Sequence, residues 1–242
     1  MTRLLLASAS PARRATLTSA GITPLVRVSG VDEDAVLAAA TERFGGLEPA
    51  DAVLVLAQAK AEQVARALRE GTTDVDPDHD GARDPGHDDD HELDDLLVLG
   101  CDSMLEIDGE IHGKPADAAQ ATARWHAMRG RSGVLHTGHW LIDERDPEAG
   151  GTGGTLGATS STVVHFADLS DAEIDAYVAT GEPLAVAGSF TVDGLGGAFV
   201  TGLEGDHHGV VGVSLPLLRE LLGQVGVSVP DLWSLSTGHN AG

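Results

Sequence analysis

The chain is predicted to adopt an α/β fold, a mixed β-sheet flanked by helices, as a single domain spanning residues 1–242. Three observations predict it. A short apolar run at 4–7 enters a serine-proline turn that starts a helix, a long amphipathic helix follows at 49–71, and strand-like and helix-like patterns alternate from there on. A chain of 242 residues can bury a sizeable core without splitting, and 42% hydrophobic with 22% charged residues lies within the globular range. The 31 glycines exceed average usage and point to extended loops.

Residues 3–7 read as a buried strand that runs into Ser10-Pro11, an N-cap with proline at the first helical position, and Gly21 closes that helix. In the helix expected from Pro49 to Gly71, Val53, Ala57, Ala61, Val64 and Leu68 recur on one face. The apolar run 96–99 leads through Gly100-Cys101 to Asp102, which is expected at a strand end, and Asp108-Gly109 marks a tight hairpin between 104–107 and 110–112. A helix over 117–129 closing at Gly130, a strand over 134–143 and a helix opened by the capping box Ser170 to Glu173 follow. Short strands near 198–200 and 210–213 and a helix over 216–222 complete the expected order.

Two stretches lack core character. Residues 72–95 are too acidic and too poor in apolar side chains to offset the entropy of ordering, and are expected to be a mobile insertion. Within them Asp76, Asp78, Asp80 and Gly81 have the spacing that begins a calcium loop. His87 stands where glutamate is required, however, and Pro77 and Pro85 interrupt, so the match is taken as chance, as are His79, His87 and His91. Residues 147–157, with Gly150-Gly151-Thr152-Gly153-Gly154, read as a second mobile insertion at the tip of a hairpin.

The net charge of −23 sets a negative field that disfavours nucleic acid and anionic membrane as partners, so a phosphorylated ligand needs a locally positive pocket. Cys101 is the single cysteine, no secretory leader pattern opens the chain, and no apolar run approaches the ~20 residues of a membrane span; a cytoplasmic location is expected.

Ser8 and Ser10 place two hydroxyls at a strand-to-helix turn, where backbone N–H groups favour an anion, and Arg13 and Arg14 add charge. Taken alone, the segment reads equally well as a capped helix with solvated arginines. Only two lysines, Lys60 and Lys114, stand beside thirteen arginines (15 minus 2), which suggests positions that need a compact ammonium on a flexible stem. Lys60 falls at the margin of the apolar helical stripe, and Lys114 lies in the Gly113-Lys114-Pro115 turn, open also to the reading of an ordinary surface lysine. An ionised Asp102 beside an apolar run must be hydrogen-bonded, paired or metal-bound, unless it is only a turn residue. In Asp32-Glu33-Asp34 the preferred second carboxylate for a divalent ion is Glu33, although an acidic N-cap explains the cluster almost as well.

Together these residues resemble the Maf family of nucleotide pyrophosphatases. The match begins at Ser8-Ala9-Ser10-Pro11-Ala12-Arg13-Arg14 and continues through Glu33, Lys60, Gly100-Cys101-Asp102-Ser103 and Gly113-Lys114-Pro115. It extends over Ser132-Gly133, His136, Thr137-Gly138, Glu182-Pro183, Ala187-Gly188, Asp193-Gly194 and Gly212 to Pro216. The resemblance implies an architecture similar to inosine triphosphate pyrophosphatases and hydrolysis of a nucleoside triphosphate to the monophosphate and pyrophosphate. It implies Asp102 as proton acceptor, Ser8, Ser10, Arg13, Arg14, Lys60 and Lys114 as phosphate-binding groups, and Mg²⁺ or Mn²⁺ held by Glu33 and Asp102; an Asp102 that binds the metal and orients the water instead would look identical in sequence. Ala12, Ser103 and Asp193 depart from the family pattern at positions linked to base selection, so no base preference carries over. The resemblance also leaves room for a homodimer. Two alternatives stand beside it: a non-catalytic nucleotide-binding regulator of cell division, and an inosine-type triphosphate pyrophosphatase.

Overall fold

A computed structural model describes residues 2–71 and 95–234. The acidic stretch 72–94, with its calcium-like spacing and three histidines, lies outside the described residues.

The elements follow as β1 (Arg3–Leu6), α1 (Pro11–Ser19), β2 (Leu25–Val26), α2 (Glu33–Phe44), α3 (Pro49–Arg69), β3 (Leu96–Ile107) and β4 (Glu110–His112). The second half comprises α4 (Ala118–Met128), β5 (Ser132–Asp143), β6 (Thr155–Phe166), α5 (Asp171–Ala179), β7 (Val200–Glu204), α6 (His207–Val211) and α7 (Leu215–Gln224). The strands form one mixed sheet in the order β2-β1-β3-β5-β6-β7, with β4 added to β3. β1 runs parallel to β2 and β3, and the remaining pairs are antiparallel. The expected mixed α/β class is the observed one.

The helix starts follow their caps. Ser10, Asp32, Asp117 and Ser170 each accept a backbone N–H in the first turn of the helix they precede, and Ser170 with Glu173 closes a full capping box. Asp108 and Gly109 both adopt positive φ, as a tight β3–β4 hairpin requires.

Three local expectations change. Asp102 is not at a strand end, because β3 is one continuous strand through Gly100. That glycine does not interrupt the strand; it lets α3 press on it, since a Cβ there would meet the Ala57 carbonyl oxygen at 2.1 Å. The 198–200 strand is instead a short 3-10 helix, Leu195–Phe199, leading into β7 at Val200. The 210–213 strand is the end of α6 and the glycine after it. Asp206 accepts the N–H groups of both His208 and Gly209, and this cap outweighs an apolar run too short to specify a strand.

Residues 147–157 contain a single 3-10 turn, Pro147–Ala149, and the tip of the β5–β6 hairpin. The tip is tied down at Asp143, which accepts the Thr152 backbone N–H at 2.7 Å and its hydroxyl at 2.8 Å. Arg145 donates to the same carboxylate at 2.8 and 2.9 Å and reaches the Val225 carbonyl after α7 at 2.7 Å. Burial alone would push the Asp143 carboxyl up, but the bonds from Arg145 and Thr152 win and hold it at about 2.

Core packing divides by face. On one face α3 covers the sheet with Ala61, Val64 and Ala65 against Leu5, Val98 and Ile142. On the other, α1 and α7 pack Leu17, Leu218, Leu221 and Leu222 onto Leu4, Leu6, Leu97 and Cys101. Farther along, α4 and α5 enclose an aromatic cluster in which Trp125 meets Phe166, Tyr177 and Phe199 edge to face.

His139, fully buried on β5, faces its Nδ1 to the Thr137 carbonyl at 3.0 Å and accepts the Ser214 N–H on Nε2 at 2.8 Å. It thereby links β5 to the cap of α7. Burial pushes its pKa down to about 4. The folded value lies below the unfolded one, so the stability this group contributes is full above pH about 6.5 and is lost as pH falls toward 4, by up to about 3 kcal/mol. Chemical unfolding between pH 7.5 and 4.5 should show that loss, and a His139→Gln variant should flatten the dependence.

Candidate active site

The site forms at a gap in one edge of β3. On that edge β1 pairs with β3 only as far as Leu6↔Leu99, and β4 pairs with it only from Leu105↔His112 onward. Between these pairings Asp102 and Ser103 have a strand partner on the β5 side alone, opposite Gly138 and Thr137. The chain leaving β1 turns into α1 beside this gap, which joins the serine turn to Ser103 through Arg13.

Alternation along β3 sends neighbouring side chains to opposite faces of the sheet. Asp102 shares the α3 face with Gly100. Lys60, on α3, is buried and places its ammonium 2.5 Å from Asp102 Oδ1 and 2.7 Å from Glu33 Oε1 at the start of α2. Two glycines make that approach: a Cβ at Gly138, opposite Asp102, would meet the Val53 carbonyl oxygen of α3 at 2.3 Å, as one at Gly100 would meet Ala57. Burial pushes the Asp102 carboxyl above its ordinary value, opposed by the Lys60 and Arg13 charges. A carboxylate raised in this way holds a proton more readily than one in water.

On the other face Arg13 is a fixed, buried fork. Its Nη1 donates to Ser8 Oγ at 2.9 Å, its Nη2 to Ser103 Oγ at 3.0 Å and its Nε to the Gly212 carbonyl at 3.0 Å. Ser103 also bonds Thr137 Oγ1 at 2.9 Å, and Thr137 donates to the Gly209 carbonyl at 2.8 Å, which ties the α6 segment to the sheet. Ser8 Oγ further accepts the Ser10 N–H, and Ser10 Oγ accepts the Arg13 N–H. The cap reading of the serine turn is therefore observed at Ser10, whereas Arg13 is held by Ser8 instead of being solvated. Arg14 is exposed on α1.

Lys114 is exposed, two residues past the last β3–β4 pair on the side toward Asp102, and no hydrogen bond or ion pair among the described residues joins it to the cluster. Ala12 and Asp193 line one cleft of about 250 Å³ with Thr16, His207, His208 and Val211. Ser103 is absent from that lining and belongs to the Arg13 fork. The turn bearing Asp193 is held by Glu182, which accepts from the Thr191 hydroxyl, the Tyr177 hydroxyl and the Leu195 and Gly196 N–H groups. His136 is a buried bridge between Glu106 and Ser161. Cys101 is buried beside Asp102 with its thiol pushed up to about 12, which removes it as a nucleophile.

In the sequence Thr137 and Gly212 stand only as members of matched motifs with no role attached, and His207 and His208 are passed over. The usable signal was Asp206, a cap for a helix that was read as a strand.

Among the described residues no three histidine, cysteine or acidic side chains gather as a metal cage. Glu33 and Asp102 both reach the Lys60 ammonium, from two elements, and as hard oxygen donors they are of the type that could hold Mg²⁺ or Mn²⁺. Also among the described residues, no helix is long and apolar enough to cross a membrane.

Fold and site together define an α/β protein with a cationic turn beside a buried carboxylate at a break in its sheet edge. The chain belongs to the Maf family: the family model for Maf-like protein matches residues 3–225. Among its relatives is a nucleoside triphosphate pyrophosphatase of Salinispora tropica, 52% identical over 97% of this chain and 89% of its own length. Proteins of the same name from Rhodococcus jostii and Streptomyces coelicolor are 49% and 48% identical, over 98% and 96% of this chain and 98% and 95% of their own lengths.

Proposed function

We propose that this protein hydrolyses nucleoside triphosphates to the monophosphate and pyrophosphate, clearing modified or surplus nucleotides in the cytoplasm. The observation that carries this reading is the buried Lys60–Asp102 contact beside the Arg13 fork, in a family whose relatives bear that activity in their names.

In this reading the triphosphate lies against the serine turn. Ser8, Ser10 and the start of α1 offer hydroxyls and N–H groups, Arg13 and Arg14 contribute positive charge, and Lys114 closes over the phosphates from the turn after β4. Asp102 accepts the proton of the water that attacks the α-phosphorus. The α,β bond breaks and pyrophosphate leaves, while Lys60 and Arg13 stabilise charge on the phosphoryl oxygens. Glu33 and Asp102 would hold Mg²⁺ or Mn²⁺, which supplies neutralisation of phosphate charge when bound. Ala12, Asp193 and the cleft they line would receive the nucleoside end.

Pyrophosphate release should be measured over standard, methylated and deaminated triphosphates with Mg²⁺ and with Mn²⁺. Release from at least one of them is expected. Binding without release from any of them would overturn the hydrolase and favour a non-catalytic regulator, and activity confined to deaminated purines would place the protein with inosine-type enzymes.

A further inference from the structure

Lys60 makes two contacts that compete with the task proposed for its partners. Its ammonium sits between Glu33 and Asp102 at 2.7 and 2.5 Å, the space in which a cation shared by those two carboxylates would have to lie. Its own side chain is only 11% exposed, and that of Asp102 only 9%, so this ammonium is the local counter-charge for a carboxylate with little water. Among the groups in direct contact, two carboxylates and one ammonium leave a net charge of −1, whereas two carboxylates and one divalent cation leave none. A divalent ion is therefore the better match for the pair, and a single ammonium can be displaced by it. The exit is open on one side, because the Glu33 side chain is 51% exposed.

The geometry points to Lys60 as a placeholder: without a divalent cation its ammonium occupies the shared position between Glu33 and Asp102, and entry of the cation expels it from between them. The inference rests on the reading of Glu33 and Asp102 as the metal-holding pair. The exchange ties two events together. The same cation that joins the carboxylates frees the one buried lysine for the phosphate oxygens, so Lys60 turns from a neutraliser of Asp102 into a phosphate ligand only when the metal is present. In its absence Asp102 is blocked by a direct ion pair, which restrains the site from acting on phosphoanhydrides without metal.

The test needs no nucleotide. Mn²⁺ binding is counted by the electron paramagnetic resonance of free ion, for the natural chain and for Lys60→Met, which keeps length and removes charge. Lys60→Met should bind Mn²⁺ roughly tenfold or more tightly than the natural chain, and adding Asp102→Asn should cancel the gain. Equal or weaker binding by Lys60→Met overturns the inference.

A second measurement uses the natural chain alone and is independent of how the variant folds. Lys60 and Lys114 are its only lysines, and Lys114 is exposed, so it serves as an internal standard. Acetylation of each is followed by peptide mass spectrometry with and without Mn²⁺, at a concentration that fills one site. Mn²⁺ should raise Lys60 modification severalfold relative to Lys114, and an unchanged ratio contradicts the exchange. Pyrophosphate release by the natural chain is scored separately. An active enzyme whose Lys60 does not respond defeats only the placeholder, whereas displacement of Lys60 in a chain that hydrolyses no triphosphate defeats only the hydrolase.

Discussion

Replacing Asp102 by asparagine should reduce pyrophosphate release by a hundredfold or more, within the roughly 10²–10⁴-fold range of a positioned proton acceptor. The amide has nearly the same shape and keeps an oxygen for Lys60, but it cannot take a proton from water or hold a cation as a carboxylate does. Its effect on folding should be small because two changes oppose each other. The variant is relieved of a buried charge that burial disfavours, while Lys60 loses one anionic partner and retains Glu33. Pyrophosphate release read beside a thermal melt separates the two quantities. An inactive variant that melts with the natural chain is the expected pair of results, and near-normal turnover would remove Asp102 from the chemistry.

Gly100→Ala should be among the most damaging single changes to the fold, costing about 3 kcal/mol or more. The added carbon would stand 2.1 Å from the Ala57 carbonyl oxygen and 2.9 Å from the Ala61 nitrogen, and these are backbone atoms of α3 that cannot rotate away. Relief requires α3 to lift from β3, and α3 carries Lys60. Residual folded protein should thus lose activity beyond its loss of stability, because the Lys60 ammonium would no longer reach Asp102. Gly223→Ala is the control. It lies in α7 with nothing within 4 Å of the new carbon, so removing a helical glycine there should stabilise by up to about 1 kcal/mol. Denaturant unfolding of both variants would show opposite signs if the close approach of α3 is the cause.

Much of this architecture was legible in the residues. Ser10-Pro11, Ser170 to Glu173 and Asp108-Gly109 specify their caps and turn through local bonds, and each occurs where expected. The apolar stripe of α3 was equally plain, because burial of one helical face repeats with the helical period. Part of what failed was decided at a distance. Gly100 reads as a strand terminator until α3 is seen lying on it, and Asp102 therefore belongs to a break in the neighbouring strands instead of the end of its own. Residues 210–213 look like a strand until Asp206 caps the turn before them.

The site was legible unevenly for the same reason. Lys60, Glu33 and Asp102 could be singled out by residue type, but their meeting depends on three elements, α3, α2 and β3, and on two glycines under one helix. Arg13 reads as one of two adjacent arginines. Its difference from Arg14 lies in helical phase, which turns one inward to Ser8, Ser103 and Gly212 and leaves the other exposed. Nothing local reports that Ser103 is bonded to this fork while Ala12 and Asp193 share a separate cleft.

The central claim, water attack at the α-phosphorus, is tested most directly by turnover of a nucleoside triphosphate in ¹⁸O-water followed by mass spectrometry of both products. The label should appear in the nucleoside monophosphate and be absent from pyrophosphate. Label in pyrophosphate, or release of inorganic phosphate in its place, would contradict it.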